Sequence, residues 1–239
     1  MPKDFFAFKR FSIRQGDNSV MKVNTDSVIL GVWANIPLNG LFLDIGCGTG
    51  LLTLIIAQKS EHAKVIGIDI SSNATECAKV NTNASQYAER IQIIHQSLQN
   101  FTTHSKNLFD IVICNPPYFS KSLRSNSADK NITRHHETLR FKELITCVKK
   151  LLSDSGIFYV LIPFYEASVF QQLLQDNQLF IHDTLEVFSD TKKELPYIFC
   201  YKIQKSLPQQ AQTKQLFIKH NNTYTAEYIS LTKDFYLFA

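Results

Sequence analysis

Four short apolar runs set the strongest limit on how this chain can fold. "LFLDIG" (41–46), "KVIGIDI" (64–70), "RIQIIHQ" (90–96) and "LFDIVICN" (108–115) are each rich in Ile, Leu or Val, and the first three are each followed by a stretch with helical character. Strands with continuous apolar character are buried on both faces, and strand–helix alternation makes them parallel neighbours with helices above and below. Three further runs, "IFYVLIP" (157–163), "LFIHDTLEVF" (179–188) and "YIFCYKIQ" (197–204), extend the set to seven, and "KQLFIKH" (214–220) is a candidate eighth. Only "SDTKKELP" (189–196) separates the sixth run from the seventh, too short for a crossover helix, so that last pair is expected to be antiparallel. The expected fold is α/β: a doubly wound, mainly parallel seven-stranded sheet with an antiparallel last strand, in a single domain. In such sheets ligands bind beyond the carboxyl ends of the strands. Downstream of the fourth run, "ETLRFKELITCVKKLLSDSG" (137–156) predicts an amphipathic helix ended by Gly156.

At 239 residues, with 44% apolar residues and no long polar linker or internal repeat, the chain has the means to bury one large core. The five cysteines stand at 47, 77, 114, 147 and 200, without a paired spacing. They read as free thiols of a reducing, cytoplasmic environment rather than as a disulfide framework, and no Cys/His cluster has the spacing of a metal site. The opening "MPKDFFAFKRFSIRQ" lacks the apolar core of a signal peptide, and no run reaches membrane-spanning length.

Two strand exits carry chemistry. The first strand runs into "LDIGCGTG", which places Asp44, Gly46, Gly48 and Gly50 between a strand and a helix. Glycines at alternate positions let backbone approach a ligand closely. The GxGxG spacing differs from the GxGxxG of dinucleotide sites, and the preceding acid favours a cationic or amine-bearing ligand over a phosphate. The second strand ends at Asp69-Ile70, where an acid can accept ribose hydroxyls of a bound nucleoside. The fourth strand ends in Asn115-Pro116-Pro117-Tyr118. An exocyclic amine of a base is a poor nucleophile because its lone pair is delocalised into the ring. Acceptors from the Asn115 side chain and the Pro116 carbonyl can bind both N–H groups and direct that lone pair, the prolines keep the geometry rigid, and Tyr118 offers a stacking face. Between Phe119 and Lys150 eight Lys/Arg face three acids, a local excess that suits a phosphate-bearing partner although the net charge is only +4.

"LDIGCGTG", "GIDIS" and "NPPY" in this order resemble class I S-adenosylmethionine (SAM)-dependent methyltransferases that act on planar amide or amine nitrogens. The opening "FAFKRFSIRQ", then "MKVNTDSVILGVWA", "RHHETL" and the closing "YTAEYISLTKDFYLF" make the chain similar to one bacterial group, the tRNA1(Val) (adenine(37)-N6)-methyltransferases. That resemblance implies SAM as cofactor and the anticodon loop of a tRNA as partner, with no metal, membrane or protein partner. It implies a segment, residues 1–40, packed on the cofactor site ahead of a methyltransferase domain at 41–239. Asn24, Thr25 and Asp26 would lie near the methionine end of the cofactor, Asp44 with the three glycines would form its floor, and Asp69 and Ile70 would hold the ribose end. Asn115, which also adjoins the cofactor, Pro116 and Tyr118 would carry catalysis, while Tyr118, Lys121, Arg124, Arg134 and Arg140 would meet the RNA. Related enzymes place an Asp after the third strand to accept from the cofactor adenine; this chain has Ser97 there. The motifs also suit an rRNA adenine-N6 methyltransferase or a protein glutamine-N5 methyltransferase. A dinucleotide-binding protein of NAD type would leave Asn115-Pro116-Pro117-Tyr118 unexplained.

Overall fold

The computed structural model describes residues 4–15, 22–117 and 140–237. Its strands are β1 (Phe5–Ala7), β2 (Ser12–Arg14), β3 (Leu41–Ile45), β4 (Lys64–Asp69), β5 (Ile91–His95), β6 (Phe109–Cys114), β7 (Leu152–Pro163), β8 (Phe180–Phe188), β9 (Ile198–Gln204), β10 (Gln212–Phe217), β11 (Lys219–His220) and β12 (Thr223–Tyr224). The helices are α1 (Thr25–Trp33), α2 (Leu51–Lys59), α3 (Ser72–Asn83), α4 (Leu98–His104), α5 (140–151), α6 (Ala167–Asp176) and α7 (Ala226–Thr232).

Eight strands form one sheet in the order β10-β8-β9-β7-β6-β3-β4-β5. β5, β4, β3, β6 and β7 are parallel neighbours, and β9 runs antiparallel to both β7 and β8. The sixth and seventh strands thus pair as the short connection requires. The seventh does not lie at the edge: it inserts between β7 and β8, and the candidate eighth strand, β10, adds in parallel outside β8. The carboxyl ends of β3, β4, β5, β6 and β7 therefore share one edge of the sheet.

Both faces are covered, which is why the central strands carry no polar face. On one side Val28, Ile29 and Leu30 of α1 and the wholly buried run Leu51–Ala57 of α2 pack with Phe42, Ile111 and Ile113. On the other, Phe141, Ile145 and Val148 of α5 and Phe170 of α6 pack with Leu43, Val112 and Phe158. Helix α5 ends at residue 151, earlier than its apolar periodicity suggests, because Leu152 already pairs with Phe109. Gly156 is not its cap. It lies in β7 against β6, where an added Cβ would come within 2.7 Å of the Phe109 carbonyl oxygen. Among the described residues no helix is long and apolar enough to cross a membrane.

Helix α1 is secured at both ends and along its outer side. Asn24 caps it, its side-chain oxygen accepting from the Ser27 backbone N–H at 2.8 Å, and the acidic Asp26 sits in the first turn. At its other end the Lys59 ammonium donates to the carbonyls of Gly31, Val32 and Ala34, replacing the partners that a helix end lacks. Residues 226–236 close over this helix: Tyr228 and Phe235 join the same core, and the Lys9 backbone N–H donates to the Phe235 carbonyl at 2.8 Å.

Candidate active site

A cavity of about 440 Å³ opens at the shared carboxyl edge of β3, β4, β5 and β6. That volume is in the range of small-molecule sites. One wall is the turn after β3. Gly46, Gly48 and Gly50 have φ of 69°, 55° and 82°, a conformation that non-glycine residues rarely adopt. A Cβ built on Gly46 would meet nothing within 4 Å, so this backbone is bare on its open side. The turn is pinned by two backbone N–H groups, those of Gly46 and Cys47, that share the Ile68 carbonyl at 2.9 Å.

Asp69, at the end of β4, binds the same turn. Its Oδ2 accepts from the Gly48 N–H at 2.9 Å and its Oδ1 from the Ser71 N–H at 2.8 Å. A carboxylate offers about four acceptor positions, so these bonds orient it while leaving capacity for hydroxyl donors. Ile70 follows on the cavity wall, 74% exposed, an apolar surface that a planar ring could cover. Ser97 also lines the cavity, and its hydroxyl caps α4 by accepting from the Asn100 N–H at 3.3 Å.

Asn115 and Pro116 line the cavity where β6 ends, beside β3. The Asn115 Nδ2 donates to Ser27 Oγ at 2.7 Å. Pro117 is held by Arg140, which also lines the cavity and donates from Nη1 to the Pro117 carbonyl and from Nη2 to Glu166 Oε2 at 3.1 Å. Glu166 is 1% exposed, and its placement at the end of β7 anchors this bridge in the protein. Two cysteines, Cys47 and Cys114, also line the cavity, but burial pushes both thiols well up from their ordinary range, so neither is a ready thiolate nucleophile.

Asn24, Gly46, Gly48, Asp69, Ile70, Ser97, Asn115 and Pro116 therefore share one cavity. Four expected cofactor contacts do not line it. Asp44 is fully buried behind the glycine turn, accepting from the Thr53 hydroxyl at 2.6 Å, and its burial pushes its carboxyl up to about 7. Strand alternation points it into the sheet–helix layer, where it fixes β3 to α2. Gly50 is the N-cap of α2 and packs against Ala78. Thr25 and Asp26 face the carboxy-terminal tyrosines: the Tyr197 hydroxyl donates to Asp26 Oδ1 at 2.8 Å, and Thr25 bonds with Tyr228 and Tyr236. Arg140, expected to meet RNA, lines the cavity and also bonds within the protein to the Pro117 carbonyl and Glu166. Tyr118, Lys121, Arg124 and Arg134 lie outside the described residues. Ser27 and Glu166 carry no mark in the sequence; in each case the only signal is a long-range bond, which no local pattern carries.

The family model "Methyltransferase small domain" matches residues 18–161. Relatives similar over nearly the whole chain carry the name tRNA1(Val) (adenine(37)-N6)-methyltransferase. One from Pseudoalteromonas translucida is 39% identical, covering 97% of this chain and 98% of its own. One from Phocaeicola vulgatus is 37% identical, covering 99% of each. Among solved structures, a predicted O-methyltransferase from Agrobacterium tumefaciens superposes with a TM-score of 0.66 at 15% identity, over 88% of this chain and 96% of its own. A ribosomal protein L11 methylase from Lactobacillus delbrueckii subsp. bulgaricus does so with a TM-score of 0.55 at 17% identity, over 79% and 83%. At these identities the two structures share the fold.

Proposed function

The chain belongs to the tRNA1(Val) (adenine(37)-N6)-methyltransferase family, and from that premise we propose that it methylates the N6 amine of adenine 37, beside the anticodon of a valine tRNA, at the cavity between the glycine turn and Asn115. The observation that carries this reading is the placement of a bare glycine turn and an amide-bearing strand end, at the carboxyl ends of neighbouring strands, in the lining of one cavity.

The residues fit the methyl donor. The open side of Gly46 admits close backbone approach, Asp69 is oriented to accept ribose hydroxyls, and Ile70 supplies an apolar face for a purine. Ser97 takes the place of the acid that relatives use toward the adenine, and its hydroxyl retains one acceptor position beyond its cap bond. S-adenosylmethionine, when bound there, supplies an electrophilic methyl group on a sulfonium.

Everything else falls to the protein. Asn115 Oδ1 and the Pro116 carbonyl accept the two N–H groups of the exocyclic amine, which favours a pyramidal nitrogen with its lone pair aimed at the methyl group. The prolines lack backbone N–H groups and hold a fixed φ, so the turn needs no ordering at the moment of reaction. No strong base is required, because the methylated nitrogen becomes acidic and sheds its proton. The high-lying thiols of Cys47 and Cys114 favour direct transfer over a covalent cysteine route. Residues 22–27, with Asn24 in the cavity wall, close the methionine end, so that residues 1–40 serve as the cofactor-side cover of the 41–239 domain.

Adenine 37 reaches the site by extrusion from the anticodon loop, at a cost of a few kcal/mol at most. Tyr118 stacks on the extruded base, while Lys121, Arg124 and Arg134 meet phosphates. Five free cysteines fit an enzyme working in the reducing cytoplasm.

Labelled SAM incubated with unmodified total tRNA, total rRNA and protein tests the reading. N6-methyladenosine mapped to position 37 of a valine tRNA is the expected product. Label confined to rRNA or to protein glutamine would overturn it.

A further inference from the structure

We propose that Ser27 is a positioning residue for methyl transfer, acting through Asn115 by holding its amide in place at the end of β6. The inference rests on the assignment of tRNA adenine methylation to this cavity and adds a residue that the motifs do not mark.

The problem Ser27 solves is chemical. An Asn amide is nearly symmetric in shape, yet its oxygen accepts and its nitrogen donates. Only one orientation helps the reaction; the other sets N–H against N–H at the amine to be methylated. The terminal torsion of Asn is broad and roughly two-fold, so the side chain does not choose by itself. Here the amide is held from α1. Asn115 Nδ2 donates to Ser27 Oγ at 2.7 Å, which assigns the nitrogen to the helix side and the oxygen to the opposite one.

Ser27 is well placed to hold that assignment. It is 7% exposed and sits in the first turn of a buried helix. Its backbone N–H is itself held by Asn24 Oδ1 at 2.8 Å. Asn24, Ser27 and Asn115 all line the cavity, so one line of hydrogen bonds joins the methionine-end wall to the substrate-end wall. Neither Pro116 nor Pro117 has an N–H with which to hold the turn, so side-chain bonds must do so.

The test is single-turnover transfer from labelled SAM to unmodified tRNA, with SAM and tRNA affinities measured alongside. Ser27→Ala is expected to slow the chemical step about five- to tenfold, the scale of one neutral hydrogen bond, with both affinities unchanged. Ser27→Thr keeps the hydroxyl and is expected to restore the rate. Ser27→Cys fills the space with a weak acceptor and is expected to behave like Ser27→Ala, which separates lost bonding from lost packing. In an Asn115→Ala background, Ser27→Ala is expected to add almost nothing, because the residue acts through the amide. Full-rate Ser27→Ala or Ser27→Cys, or an undiminished penalty in the Asn115→Ala background, would overturn the proposal while leaving the tRNA reading intact. Absence of methyl transfer to tRNA by the unaltered protein would overturn the functional reading and this role with it.

Discussion

Replacing Asp44 by Asn should make the protein more stable at pH 8 than at pH 5 relative to the unaltered chain. Asp44 is fully buried, its Oδ2 accepts from Thr53, and its Oδ1 has no hydrogen-bond partner among the described residues. Burial first, and the nearby Asp69 charge to a lesser degree, push the carboxyl up to about 7, against the Thr53 bonds that lower it. In the unfolded chain the same group titrates near ~3.9. A carboxyl whose folded value lies above its unfolded value binds its proton more tightly when folded, so stability falls as pH rises from the unfolded value towards the folded one, then levels off. Linkage between those two values gives a penalty of about 1–2 kcal/mol at pH 5 and about 4 kcal/mol at pH 8. Asn cannot ionise and keeps an acceptor for Thr53; any cost of its new N–H groups is independent of pH. Urea unfolding of both proteins at the two pH values isolates the effect, since all other titrating groups cancel in the difference. The Asp44→Asn stability minus that of the unaltered protein should rise by about 2–3 kcal/mol from pH 5 to pH 8. A difference constant across that range would refute the assignment of Asp44 as a buried, high-lying acid.

Four further outcomes are expected. Asn115→Ala should bind SAM normally by calorimetry and lose about 10²–10³ in single-turnover rate, as loss of an oriented electrostatic contact does. Gly46→Ala should weaken SAM binding by more than about tenfold while unfolding cooperatively, because the left-handed φ is costly for alanine and its methyl would point into the open side of the turn. Glu166→Gln and Arg140→Lys should each lower kcat with little change in SAM affinity, and a double-mutant cycle on the two should show a coupling of about 1–3 kcal/mol in thermal stability. Lys59→Met should cost about 2–3 kcal/mol in urea unfolding, since three helix-end carbonyls lose a charged donor.

The parts of this structure that depend on local period could be read directly from the sequence. Strand–helix alternation implied the parallel sheet, and the prolines after Cys114 marked a strand exit. The short "SDTKKELP" link implied an antiparallel pair, but sequence adjacency says nothing about where that pair enters the sheet, and β9 sits between β7 and β8 rather than outside. The glycine motif located the turn without revealing which way its neighbours point: Asp44 faces inward while Asp69, at the next strand end, faces the turn. The family resemblance implies Thr25 and Asp26 as cofactor contacts alongside Asn24; a helix rotates each residue by about 100°, and in the structure these two bond tyrosines. Ser27 and Asn115 are 88 residues apart in sequence, and no periodicity links them.

The packing of residues 226–236 over α1 has a consequence for how the protein comes into being. Synthesis delivers the glycine turn, Asp69 and Asn115 early, and the parallel half of the sheet can assemble behind them. The helix that Asn24 caps and that carries Ser27, however, gains outer support from Tyr228, Phe235 and Tyr236, far along the chain from it. Contacts between such distant segments form slowly and late. A nascent or prematurely terminated chain therefore has most of a sheet but an unfinished pocket wall. Docking of that distant segment is then the step that finishes the pocket wall, after the sheet behind it has formed.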